Sequence, residues 1–126
     1  MPFLLKSEPD AYSFDDLVRD GETTWDGITN PTALKHLREM KPGERLVLYH
    51  SNVGKAAVGL ASVVSVDDSD PKAPVVRIQA GARLAREKTL AEMREQAVFQ
   101  DSVLLRQFRL SVVPLTDAQY RWILDG

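Results

Sequence analysis

Apolar residues along the chain follow two spacings, and the changes between them outline its elements. Phe3, Leu4 and Leu5 form a short apolar run closed by Glu8-Pro9-Asp10. The proline ring disfavours helical backbone at Glu8, so a first strand is predicted over Phe3 to Ser7. Helical spacing takes over at Phe14, Leu17 and Val18, with Ser13 as cap, Asp15 and Asp16 in the first turn and Gly21 as stop. The helix covers Phe14 to Asp20. A second helix opens with Asn30 as cap and Pro31 in the first position, carries an apolar face on Leu34, Leu37 and Met40, and ends near Met40 or Lys41 before Pro42-Gly43.

Strand character then replaces helical spacing. Arg45 to Tyr49 and Ala57 to Val66 read as the arms of a hairpin joined through Ser51-Asn52-Val53-Gly54. The polar stretch from Asp67 to Pro74 is too short to separate domains and reads as a surface loop, followed by a strand at about Val75 to Gln79. Thr89-x-x-Glu92 and Thr116-x-x-Gln119 match the reciprocal capping box, so helices begin near Leu90 and Asp117. Between them Arg109 to Val113, closed by Pro114, reads as a last strand. This order lacks the regular alternation of a doubly wound sheet and predicts an α+β fold, a small curved sheet or open barrel flanked by helices. No repeat or low-complexity tract interrupts it, and 126 residues suit one compact domain, so a single domain over 1–126 is expected.

Composition narrows the function. With 44% hydrophobic and 27% charged residues the chain is globular rather than disordered. Sixteen Lys plus Arg against 18 Asp plus Glu leave a net charge of -2, which removes any large positive field and makes nucleic-acid contact a local matter. The absence of cysteine excludes disulfides, iron–sulfur clusters, thiolate zinc and cysteine nucleophiles. His36 and His50 show no His-Glu-x-x-His spacing, and Gly54, Gly59 and Gly81 form no phosphate-cradling motif, so no metal or cofactor is expected. Gly59 inside a strand marks a bulge or a close backbone approach. The apolar run at the N-terminus is far shorter than a signal core or a membrane span, so a cytoplasmic location without membrane contact is expected.

Polar residues gather at strand ends and turns, where rigid scaffolds present functional groups: Lys6, Ser7 and Glu8; Trp25, Asp26 and Asn30; Tyr49, His50, Ser51 and Asn52; Arg106, Gln107 and Arg109. Trp25 lies in a stretch with no helical or alternating pattern, which leaves two readings, packing in a core or lid, or an aromatic surface for a ligand. Trp122, at helical spacing, reads as core, and His36 as a structural residue. His50 is either a satisfied structural histidine or a hydrogen-bonding, acid–base group. From Lys72 to Leu90 five basic residues (Lys72, Arg77, Arg83, Arg86 and Lys88) stand against Glu87 alone. They make either a solvated face or a phosphate-contacting stripe.

Leu4-Leu-Lys-Ser-Glu-Pro-Asp10, Trp25-Asp-Gly-Ile-Thr-Asn30, Tyr49-His-Ser-Asn52, Val58-Gly-Leu-Ala61 and Leu104-Leu-Arg-Gln-Phe-Arg-Leu-Ser-Val-Val-Pro114 together resemble the EVE domain family, in order and over nearly the whole chain. The resemblance implies a PUA-like fold, a curved mixed sheet or pseudo-barrel with short helices at its sides, related to YTH and ASCH domains. It also implies a non-catalytic reader of modified nucleobases, cytosine or adenine in DNA or RNA, with an aromatic-lined pocket. By the same resemblance Trp25 stacks on the base, Lys6, Ser7 and Asn30 stand beside it, and Tyr49, His50, Ser51 and Asn52 form another part of the rim. Arg106, Arg109 and the run of Arg77, Arg83, Arg86 and Lys88 are the candidates for phosphate contact. Thr29 and Pro31 stand where members often carry Arg and Tyr, and Phe108 where a serine is frequent, so a second aromatic wall is unassigned. A monomer with no cofactor is expected, and the net charge predicts a shallow salt dependence. The alternative from ASCH relatives is a small nucleoside-modifying hydrolase, with Lys6, Glu8 and His50 composing a base and an oxyanion stabiliser. A pocket for a free metabolite, or a surface for a partner protein, is a third reading.

Overall fold

The computed structural model describes residues 1–26, 28–70, 72–107 and 109–125. Gly27 of the tryptophan motif, Pro71 of the polar loop and Phe108 of the last motif lie outside the described residues. The elements run β1 (Phe3–Ser7), α1 (Phe14–Asp20), β2 (Glu22–Trp25), α2 (Pro31–Glu39), β3 (Arg45–His50), β4 (Ala56–Asp67) and β5 (Val75–Thr89). They continue with α3 (Leu90–Arg94), a 3-10 turn (Ala97–Phe99), α4 (Val103–Arg106), β6 (Val112–Pro114) and α5 (Asp117–Asp125). The strands form one mixed sheet in the order β2-β5-β4-β3-β1-β6. β1 and β3 pair in parallel and every other pair is antiparallel; the chain between them, α1, β2 and α2, is the crossover that a parallel pair requires.

Local signals formed as the residues dictate. Ser13 and Asp16 close a capping box on α1, Asn30 caps α2 with Pro31 behind it, and Thr89 and Glu92 close a second box on α3. Three expectations need correction. β5 does not end near Gln79 but runs to Thr89, because β4 pairs with it along its whole length through a series of register shifts that mask the two-residue period. The last strand begins at Val112 rather than Arg109, since a turn closed by the Leu110 N–H on the Gln107 carbonyl precedes it. β2, the 3-10 turn and α4 were not predicted; β2 is a four-residue edge strand whose existence rests on pairing with β5.

Strands β1 and β3 lie inside the sheet and are covered on both faces, which is why Phe3, Leu4, Leu5, Leu46, Val47 and Leu48 are all buried. Pleating then separates their polar ends. Lys6 pairs with Tyr49 and Ser7 with His50, so Lys6 and Tyr49 share one face while Ser7 and His50 share the other. On the Ser7 face lie α1 and α2, with the Phe3 ring 6.3 Å from that of His36. On the Lys6 face lie α4 and α5, with Arg45 5.7 Å over the Tyr120 ring. Gly59 is the close approach its place in a strand implied: a Cβ there would sit 2.3 Å from the Phe14 ring.

Candidate functional site

Trp25 ends β2 opposite Val76, and its side chain is almost covered, 9% exposed. Its ring meets that of Tyr12 edge to face, with centroids 6.3 Å apart and planes at 74°. Tyr12 is held at both ends, because the Ser7 hydroxyl donates to its carbonyl oxygen and its own phenol donates to Asp20 at 2.8 Å. Burial pushes that phenol above its usual titration range. Beside the two rings opens a concavity of about 270 Å³ lined by Ser7, Tyr12, Thr23, Thr24, Trp25 and Asp26. Trp25 therefore both packs and borders open space. Tyr12 is a functional candidate that the sequence reading missed, as are Thr23 and Thr24 here; nothing within the loop between β1 and α1 signals which ring Tyr12 will meet.

The other residues grouped with Trp25 are distributed differently. Asn30 Oδ1 accepts from the backbone N–H groups of Thr32 and Ala33 at 2.9 and 3.1 Å and is occupied as a helix cap. His50 Nε2 accepts the Phe14 N–H at 3.0 Å, satisfying an otherwise orphaned donor at the start of α1. This bond needs an unprotonated Nε2, and burial, partly opposed by Glu87, holds the imidazole below its ordinary titration range. Lys6, Tyr49, Ser51 and Asn52 line a second concavity of about 230 Å³ on the opposite face of the sheet, with Lys55, Arg94 and three leucines. The Lys6 ammonium lies 5.8 Å from the Tyr49 ring centroid. Burial lowers the Lys6 pKa and raises that of Tyr49, the latter opposed by Arg94. Since Lys6 and His50 point to opposite faces, Lys6, Glu8 and His50 do not converge on one centre.

The basic run is tied into the surface. Arg77 bonds to Glu22 and Thr24, Arg83 pairs with Asp15 and lies 5.1 Å over the Phe14 ring, and Arg86 meets Glu92 at 2.6 Å. Lys88 is 2% exposed and donates to the Arg86 carbonyl at 3.2 Å. Arg106, at the end of α4, and Arg109 are exposed.

Comparison with known proteins places this geometry. The EVE domain family model matches residues 2–126. Human thymocyte nuclear protein 1 is 28% identical, over 98% of this chain and 72% of its own length. Among solved structures, a Rhodopseudomonas palustris protein is 33% identical with a TM-score of 0.90, covering 98% of this chain and 90% of its own. The human protein, solved in complex with DNA containing 5-methylcytosine, is 29% identical with a TM-score of 0.87, covering 98% and 95%. An ASCH protein from Zymomonas mobilis, at 11% identity and a TM-score of 0.63 over 95% and 91%, shares the fold alone. The six-stranded curled sheet with its short helices is thus the PUA-like fold that the sequence motifs implied.

Proposed function

Because the chain belongs to the EVE domain family, we propose that it is a non-catalytic reader of modified bases in DNA, holding one extruded base in the concavity beside Trp25. The observation that carries this reading is the Trp25–Tyr12 ring pair at the edge of an open space otherwise bordered by three hydroxyls and a carboxylate. At about 270 Å³ the space is just below the range for drug-sized ligands and suits a single base. Stacking on an aromatic ring contributes about 1–3 kcal/mol for any base, so the rings supply affinity. Identity comes from the edge groups, among which the Asp26 carboxylate accepts from the exocyclic amine of cytosine. The human relative solved with 5-methylcytosine DNA names the first ligand to try.

A methyl group recognised by shape changes affinity about 10-fold or somewhat more, and extruding a base from a duplex costs a few kcal/mol. Binding is therefore selective by modest factors and favours single-stranded or mismatched targets. The test is a fluorescence-anisotropy titration of oligonucleotides carrying 5-methylcytosine, cytosine or N6-methyladenine, as DNA and as matched RNA. Preference for one modified base is expected. Trp25→Ala should weaken binding at least about 5-fold, and Asp26→Ala should weaken binding of cytosine and 5-methylcytosine alike in a protein that remains folded. Equal affinity for all the oligonucleotides, or an unaltered affinity for Trp25→Ala, overturns the reading.

A further inference from the structure

The concavity on the other face has a chemistry the Trp25 site lacks. Lys6, Lys55 and Arg94 all line it, and among the described residues none that lines it is acidic. Tyr49, Ser51 and Asn52 add hydroxyl and amide groups to the same rim, and Leu90, Leu104 and Leu105 supply its apolar part. Lys55, Leu90 and Arg94 also line a second hollow of about 250 Å³, bordered besides by Gly54, Thr89 and Ala91.

The backbone contributes to the arrangement. Asn52, Gly54 and Lys55 hold φ angles of 66°, 84° and 40° in the turn between β3 and β4. A left-handed conformation suits glycine and asparagine but strains a long side chain such as lysine, and such strain persists where the surroundings enforce it. The carbonyl of Lys55 accepts the Leu90 N–H at 2.8 Å, tying the strained residue to the start of α3, and Arg94 ends that helix. Lys55 and Arg94 thus stand at the two ends of one short helix and line the same concavity.

We propose that this concavity is a phosphate-binding site, distinct from the base site and on the opposite face of the sheet. The pocket, at about 230 Å³, is smaller than sites for drug-sized molecules, so it suits a compact group. Three cations with hydroxyl and amide donors match the tetrahedral oxygens of a phosphate, and guanidinium is the group best shaped to hold two of them. The chain's net charge of -2 gives no general attraction for such an anion, so the affinity is local. The phosphate has two possible sources: the backbone of DNA whose base occupies the Trp25 concavity, since Lys6 and Ser7 are neighbours at the end of β1, or a free phosphorylated small molecule. The first source rests on the reading-domain function proposed above, whereas the second does not.

The experiment uses Lys55→Gln and Arg94→Gln, which leave the sheet intact, in two arms. In the first arm, inorganic phosphate and deoxycytidine monophosphate are titrated into the 15N-labelled protein. Saturable shifts of the Ser51 to Lys55 and Leu90 to Arg94 amides are expected, and they should vanish in the double variant. In the second arm, binding of a 5-methylcytosine oligonucleotide is measured from 50 to 200 mM salt. If the phosphate belongs to DNA, each variant weakens binding about 10-fold at low salt, the scale of one charge-assisted hydrogen bond, and the log–log salt slope falls by about one. Shifts in the first arm with an unaltered second arm support a free phosphorylated ligand. The absence of saturable shifts together with unaltered DNA binding overturns the site. Loss of base preference in Trp25→Ala bears only on the other face.

Discussion

Lys6 and Ser7 are adjacent in β1, and the pleat sends them into two unlike environments. On the Ser7 side, two rings stand edge to face, hydroxyls and one carboxylate surround them, and no cation among the described residues lines the concavity. On the Lys6 side, three cations and a phenol line the space with leucines, and no carboxylate among the described residues lines it. Stacking and edge hydrogen bonds act over contact distance and discriminate among ligands, whereas charge attracts without discriminating. Placing the two on opposite faces of one sheet lets each form without neutralising the other. Asp26 beside Arg94 would make an ion pair, as Asp15 and Arg83 do on the outer surface.

The strongest way to break this separation is Gly59→Ala. Its Cβ would meet the Phe14 ring at 2.3 Å, and that ring belongs to the helix held by His50. Overpacking of this kind costs about 1–3 kcal/mol, read as a lower denaturation midpoint. Amide shifts should concentrate on α1 and the Trp25 side and spare Tyr49 and Arg94; equal disturbance of both faces would show that they are coupled. Next is Asn30→Ala, which removes a helix cap and should cost about 1 kcal/mol by denaturant unfolding, while Asn30→Asp keeps the cap. Base preference should survive Asn30→Asp, and its loss in that stable variant would return Asn30 to the base edge.

Smaller still is Arg83→Gln. The pair with Asp15 is exposed, so its removal should change stability by less than about 1 kcal/mol, and DNA binding should stay within about twofold. A loss as large as that of Arg94→Gln would move the phosphate contact to β5. The mildest probe is pH. His50 is held below its ordinary value of 6.5 in the folded state, so as pH falls the unfolded chain takes the proton first. Stability should be constant with respect to this group above about pH 6.5 and decline as the pH drops toward the folded-state value. His36 is shifted in the same direction by burial, so thermal melts from pH 8 to 5 should be compared in His36→Asn and His50→Asn. The slope lost with His50 alone should report the bond from the Phe14 N–H at the start of α1, since His36 shares the same face.

Much of the fold was legible because its signals act within a few residues. Ser13 with Asp16, Asn30 with Pro31 and Thr89 with Glu92 close turns on their own neighbours, and each began a helix where expected. Phe3 to Leu5 and Leu46 to Leu48 marked strands by their unbroken apolar runs, and the structure covers both faces of each. The far half of β5 was not legible, because bulges in its pairing with β4 remove the period that marks a strand. Nor was β2, whose Glu22, Thr23 and Thr24 become a strand through Gln79, Ile78 and Arg77. The site residues were recognisable as a set of polar groups at strand ends, but not as two sets.

By itself, then, the sequence determined where α1, α2, α3 and α5 begin, where β1 and β3 run, that no cysteine chemistry operates, and which family motifs the chain carries. Only the tertiary structure decided that Tyr12 meets Trp25, that His50 serves the start of α1, and that Lys6 joins Lys55 and Arg94 in lining one concavity. The physical reason is range. Capping and periodicity are settled by neighbours three or four positions away, whereas the partners on each face of a pleated strand are set by register, crossover and curvature of the whole sheet.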